Sequence, residues 1–207
     1  IDKRICEDYS LIIWSVENNL DFLLKNVILN DDEITFLKRI GNKNRKIEWL
    51  TVRYIIQNEF GITSHICYDE NGKPSLPNQN ISISHSKQMI ALLISSYPCA
   101  IDIEQVGSRV GKIAHKAFNE KELQHATNDD QLTILWCAKE TIYKLCGTGS
   151  VDFKTDMTIF PIENEIAGSI TYQFRKNKTQ INSLQLETLN DYKLVWIVNK
   201  KQKCHDI

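Results

Sequence analysis

Two clusters of side chains in this sequence have the types and spacing to do chemistry. Asp102 and Glu104 stand two apart in Cys99-Ala100-Ile101-Asp102-Ile103-Glu104, a stretch that reads as a strand, so both carboxylates project from one face. Side by side they repel, and one holds a proton unless a cation lies between them. Hard divalent ions take carboxylate oxygens for this reason; Mg2+ is the natural occupant and Mn2+ a possible substitute. The plainer reading is an edge strand with charged outward residues.

The second cluster is Leu135-Trp136-Cys137-Ala138-Lys139-Glu140-Thr141-Ile142-Tyr143-Lys144. On a helix, Glu140 and Lys144 share a face, with Trp136 one turn before them. The spacing alone describes a surface ion pair worth a few tenths of a kcal/mol. A third carboxylate and an ammonium on a half-apolar face also suit metal-assisted phosphoryl chemistry. Upstream, residues 38–53 hold Lys38, Arg39, Lys43, Arg45, Lys46 and Arg53 against Glu48 alone. That segment faces either an anion or solvent, and Arg53 also reads as a structural helix cation.

Ile101-Asp102-Ile103-Glu104, followed by Trp136-Cys137-Ala138-Lys139-Glu140-Thr141-Ile142-Tyr143-Lys144, resembles the two signature motifs of the 4'-phosphopantetheinyl transferase superfamily. Gly72-Lys73-Pro74 and Ile83-Ser84-His85-Ser86 resemble further elements of its longer, Sfp-like branch. The resemblance implies a monomeric pseudodimer of two similar α/β halves in one chain. It implies transfer of the phosphopantetheine arm of coenzyme A to a carrier-protein serine, with release of 3',5'-ADP. Asp102, Glu104 and Glu140 would hold Mg2+; Lys144 would stabilise phosphate oxygens, and Glu140, alone or through a metal-bound water, would take the serine proton. The 3'-phosphate would sit on Ser84, His85 and the basic residues Lys38, Arg39 and Arg45, with Arg39 and Arg45 foremost. Lys73 and Pro74 would lie along the adenine. Ala100 stands where the family usually has Gly, which narrows the pocket slightly and removes no functional group.

The elements needed to position these residues are legible in outline. Strands are expected at Ser10 to Val16, Ile81 to His85, Met89 to Ile94 and Cys99 to Glu104, and later at Ile166 to Phe174, Ser183 to Leu189 and Lys193 to Val198. Leu20, Leu23, Leu24 and Val27 mark a short helix; Asn30-Asp31-Asp32-Glu33 opens another, and a longer one runs from Lys43 to Phe60, before Gly61. Asn119 with Glu122 forms a capping-box-like start, and a long helix from Asp129 ends at Cys146-Gly147. A frayed, Lys-rich tail starts at Lys200. The pattern predicts an α/β (α+β) protein with two similar halves, residues 1–97 and 98–207, each a small, mainly antiparallel sheet packed with helices and tightly joined as one unit.

Between the clusters, Arg109, Val110, Lys112, Ile113 and Lys116 form a short basic amphipathic segment. It suits docking of an acidic carrier helix, or a helix that sinks Val110 and Ile113 into the core.

Composition excludes several classes. With 207 residues, 42% hydrophobic and 25% charged, the chain can bury a core and is not disordered. Its longest apolar run, Met89 to Ile94, is far short of the roughly 20 residues of a membrane span, and no apolar signal segment follows Lys3-Arg4. Six scattered cysteines without C-x-x-C spacing read as reduced, cytoplasmic thiols. A net charge of −1 gives little field for nucleic acid, which disfavours a rival Mg2+-dependent nuclease. A non-catalytic CoA- or carrier-binding homologue would be expected to have lost a carboxylate or Lys144.

Overall fold

The run at Met89 and the Ile-Ser alternation before it form neighbouring strands in the computed structural model, which describes residues 1–17, 19–62, 65–107, 109–146, 151–174 and 181–200. The N-terminal sheet contains β1 (Asp2–Ile5), β2 (Tyr9–Ser15), β3 (Cys67–Tyr68), β4 (Pro74–Leu76), β5 (Gln79–Ser86) and β6 (Met89–Ser95). It is antiparallel throughout, in the order β1-β2-β6-β5-β4-β3. The C-terminal sheet contains β7 (Cys99–Gln105), β8 (Met157–Ile159), β9 (Ala167–Phe174), β10 (Ile181–Leu189) and β11 (Tyr192–Val198). It is also antiparallel, ordered β7-β11-β10-β9-β8, so β7 is an edge strand.

Helices α1 (Leu20–Asn26), α2 (Asp31–Arg39) and α3 (Lys43–Glu59) precede β3, while α4 (Arg109–Ala117), α5 (Glu120–His125) and α6 (Asp129–Cys146) follow β7. Val52, Ile55 and Ile56 of α3 pack on Ile12, Ile81, Ile90, Leu92 and Ile94, one face of the first sheet. The opposite face presents Leu11, Ile13, Ala91 and Leu93 to Cys99, Ile101, Ile103, Leu194 and Trp196 of the second sheet. β6 is therefore covered on both sides, which is why its sequence is continuously apolar instead of alternating. The outer face of the second sheet, including Ile170, Leu184 and Val195, packs against Ile134, Cys137, Ala138 and Ile142 of α6. Each such fully buried aliphatic side chain contributes about 1.5–3 kcal/mol.

The mixed α/β architecture, with two antiparallel sheets and helices on their outer faces, matches the sequence expectation. The major elements fall within a few residues of their expected bounds, and Asn119 and Glu122 form a reciprocal capping box. The short strands β1, β3, β4 and β8 were not anticipated. Gly61, at φ 64°, follows α3 as expected. Gly147 and the tail beyond Lys200 lie outside the described residues.

Candidate active site

Strand periodicity on β5 builds the site. Ser82, Ser84 and Ser86 point to the inter-sheet side, and His85 to the α3 side. The two-residue turn Lys87-Gln88, with Lys87 at φ 53°, sets Ser86 opposite Met89 and fixes this register. The serines meet the free edge of β7. Ser82 Oγ accepts from the Ile101 amide at 3.0 Å, and Ser86 Oγ accepts from the Gln105 amide at 3.1 Å. Ser84 Oγ donates to Asp102 Oδ1 at 2.6 Å, and Ser86 Oγ donates to Glu104 Oε2 at 2.7 Å.

β7 carries both carboxylates on the face turned to α6, where Glu140 and Lys144 approach them. Lys144 Nζ donates to Asp102 Oδ1 at 2.7 Å and to the Ile101 carbonyl at 3.0 Å. Asp102 is only 3% exposed, and among the described residues its Oδ2 is buried without a hydrogen-bond partner. Burial pushes the Glu140 carboxyl up to about 7, and repulsion from Asp102 adds to this more than Lys144 offsets it. Burial also raises Glu104; Ser86 opposes that shift, and Arg109 does so more weakly. The Cys137 thiol, fully buried behind these acids, is held well above its ordinary range by burial and their charge, so it stays protonated.

The three acids line one pocket of about 390 Å³ together with Ser84, His85, Arg109, Trp136 and Lys144. Among the described residues, no group of three or more His, Cys, Asp or Glu side chains is arranged to hold a metal ion. The donor chemistry nevertheless fits a hard cation. Asp102 offers a buried, unpartnered oxygen, and mutual repulsion in this carboxylate set is what a divalent charge relieves.

Two further pockets share walls with the acidic one through Ile83. One, of about 500 Å³, is lined by Gly72, Lys73, Pro74, Tyr143 and Lys144. Lys73 Nζ reaches the Leu145 carbonyl at 3.4 Å. The other, of about 190 Å³, holds Arg45, Glu48, Pro74 and His85. There Arg45 Nη1 lies 2.6 Å from His85 Nε2. A guanidinium can only donate, so Nε2 accepts and the ring proton of neutral His85 sits on Nδ1, 3.7 Å from Glu48 Oε2. Burial lowers the His85 imidazole; Glu48 opposes the shift, and Arg45 and Lys144 add to it. Glu48 also pairs with Arg45 at 3.2 Å.

The structure thus brings together Asp102, Glu104, Glu140, Lys144, Ser84, His85, Arg45, Lys73 and Pro74 in adjoining pockets. Lys38 and Arg39 stand apart, exposed in the last turn of α2 and outside all three pockets. Arg53 is structural: buried at 4% exposure, it donates to Glu33 at 2.7 Å and lies over the Trp49 ring. Ala100 is wholly buried and lines none of these pockets, so its methyl group does not narrow them. Val110 packs into the core and offers no exposed anchor, whereas Lys112 and Lys116 are exposed and Ile113 half-buried.

Sequence reasoning missed Glu48 as a partner of the cationic seat, Arg109 as a wall of the acidic pocket, and the role of Lys139. Lys139 is completely buried beside Glu122 at 2.7 Å and donates to the carbonyls of Ala117, Phe153 and Met157. Glu122 Oε1 accepts from the Ile159 amide at 2.8 Å. Only the Asn119-Glu122 capping signal pointed toward this hub.

Residues 98–197 match the family model of the 4'-phosphopantetheinyl transferase superfamily. A 4'-phosphopantetheinyl transferase of Bacillus subtilis is 36% identical over 89 residues, covering 39% of this chain and 40% of that protein. The match thus spans about two fifths of the length of this curated relative.

Proposed function

Since residues 98–197 match the family model of the 4'-phosphopantetheinyl transferase superfamily, we propose that the chain transfers the phosphopantetheine arm of coenzyme A to a serine of an apo carrier protein, releasing 3',5'-ADP. The observation that carries this reading is the adjacency of two oppositely charged sites. A cationic seat of Arg45 and His85 lies beside an acidic pocket of Asp102, Glu104 and Glu140, and Lys144 reaches between the sheets there. A substrate with a phosphomonoester at one end and a pyrophosphate further along needs both.

In this reading Arg45 and His85 hold the 3'-phosphate, while Ser84, the neighbour of His85 in sequence, turns its hydroxyl to Asp102 in the acidic pocket. Lys73 and Pro74 flank the adenine, and Lys38 and Arg39 are left to the protein surface. Asp102, Glu104 and Glu140 would hold Mg2+, or Mn2+ in its place, which would supply positive charge against the pyrophosphate. Glu140 would take the proton of the attacking serine. Lys144 faces the departing phosphate oxygens. The bond formed is serine oxygen to β-phosphorus, and the bond broken joins that phosphorus to the bridging oxygen, which leaves on 3',5'-ADP.

The longer, Sfp-like branch fits a chain that supplies both sheets itself, as two similar halves divided near residue 97, in a monomer. Exposed Lys112 and Lys116, with Arg109 and Ile113 at the pocket rim, suit an acidic carrier helix. A cytoplasmic location accords with six scattered cysteines that lack C-x-x-C spacing, and among the described residues no helix is long and apolar enough to cross a membrane. Incubation with CoA, Mg2+ and a panel of apo carriers tests the reading by intact mass. A gain of about 340 Da on the carrier, the mass of the arm and a direct consequence of phosphoryl transfer, is expected. A panel that stays unmodified while CoA binds would favour the non-catalytic homologue.

A further inference from the structure

We propose that Ser84 and Ser86 are positioning residues for the divalent cation of the acidic pocket: delivered from the N-terminal sheet, their hydroxyls orient the carboxylates of Asp102 and Glu104. This rests on the reading of that pocket as a divalent site.

The geometry separates this role from plain packing. A carboxylate on a strand turns freely about its terminal torsion unless its oxygens are held. Asp102 Oδ1 is held from two directions, by Ser84 Oγ at 2.6 Å and Lys144 Nζ at 2.7 Å. With that oxygen fixed, the direction of buried, unpartnered Oδ2 is fixed too. Ser86 does two things at once: its hydroxyl accepts from the Gln105 amide at 3.1 Å, which leaves its own proton to Glu104 Oε2 at 2.7 Å. The Gln105 amide thereby sets the rotamer of the hydroxyl that orients Glu104. Ser82 offers a natural contrast, because its hydroxyl accepts from the Ile101 amide at 3.0 Å and no bond joins it to the carboxylates among the described contacts.

Hydrogen-bond partners of ligand carboxylates typically change metal affinity by about 10–100-fold. The same strand turns His85 toward Arg45 on its other face, so three consecutive residues serve two pockets. This gives the order Ser-His-Ser a physical reason: alternation sends the imidazole one way and both hydroxyls the other.

The test measures Mn2+ affinity of the full chain without CoA, by calorimetry and by electron paramagnetic resonance, in Ser82→Ala, Ser84→Ala and Ser86→Ala. Ser84→Ala and Ser86→Ala are expected to weaken binding about 10-fold or more, with thermal melts confirming a folded protein. Ser82→Ala should lower the melting temperature yet bind Mn2+ like the parent, and Ser86→Thr, which restores the hydroxyl, should recover affinity. Unchanged affinity in both site variants, or an equal loss in Ser82→Ala, would overturn the proposal. A parent protein that binds no Mn2+ would overturn it together with the divalent reading, whereas the transferase reading itself stands or falls on the carrier mass shift.

Discussion

Lys144 of α6 and Asp102 of β7 meet at 2.7 Å over an aspartate that is almost entirely buried, so the helix and the edge strand are locked by an ion pair inside the site. At helix spacing from Glu140, Lys144 would be a surface partner worth little, but the structure turns it inward to Asp102 and the Ile101 carbonyl. Lys144→Met keeps the apolar stem and strands the carboxylate. We expect a stability loss of about 1–3 kcal/mol in urea unfolding and a kcat loss of at least about 10²-fold, with KM for CoA changed only a few-fold. A kcat near that of the parent would return this lysine to a structural role.

Glu140 carries a pH signature. Its carboxyl is raised to about 7 in the folded protein by burial and by neighbouring acids, against an ordinary value of 4.5. Between those values the folded state binds more protons than the unfolded one, so stability falls as pH rises through about 7. In EDTA, the melting temperature should therefore drop from pH 5 to pH 8 more steeply in the parent than in Glu140→Gln. Mg2+ added at pH 8 should restore the parent and help the variant less. Equal slopes in the two proteins would mean that this carboxyl is not raised. Because the variant also lacks the proposed base, its kcat should fall at least about 10²-fold.

Lys139 and Glu122 make a separate claim, on the fold. Both side chains are completely buried, and Lys139 ties the end of α4, the first turn of α5 and the start of β8 to α6. Lys139→Met leaves the Glu122 carboxylate buried without its cation, at a cost of roughly 3–5 kcal/mol. Lys139→Met combined with Glu122→Gln should recover part of that loss, since the uncompensated charge is gone. Additive losses in urea melts would show that the two do not act as a pair.

Legibility in the sequence followed the range of the interactions. α6 and β7 were readable because their periodicity is local and their chemistry repeats along one face. β3, with two residues, and β8, with three, have too little alternation to see; their pairing with β4 and β9 defines them. Glu48 counted only as one acid in a basic segment, because nothing local says that it shares a pocket with His85, 37 positions away on β5. Lys38 and Arg39 shared the charge of that segment but sit on α2, across a helix boundary from Arg45, and charge alone could not separate them. The serines of β5 showed their alternation plainly, whereas their carboxylate partners became visible only when the edge of β7 lay against them.

The cationic seat can be resolved residue by residue through a pair of substrates that differ by one phosphate. Arg45 and His85 touch at 2.6 Å, with Glu48 beside both. If they bind the 3'-phosphate, each supplies a charge-assisted hydrogen bond worth about 1.5–3 kcal/mol, and its loss raises KM for CoA by roughly 10–150-fold. 3'-Dephospho-CoA has no such group to lose, so Arg45→Ala and His85→Ala should barely change its KM. Arg39→Ala and Lys38→Ala, on the exposed end of α2, should leave both substrates unaffected. Steady-state kinetics on the four variants with both substrates decides the matter. Equal losses on CoA and its dephospho form would assign Arg45 and His85 to holding α3 against β5, and a selective loss in Arg39→Ala would move the seat to α2.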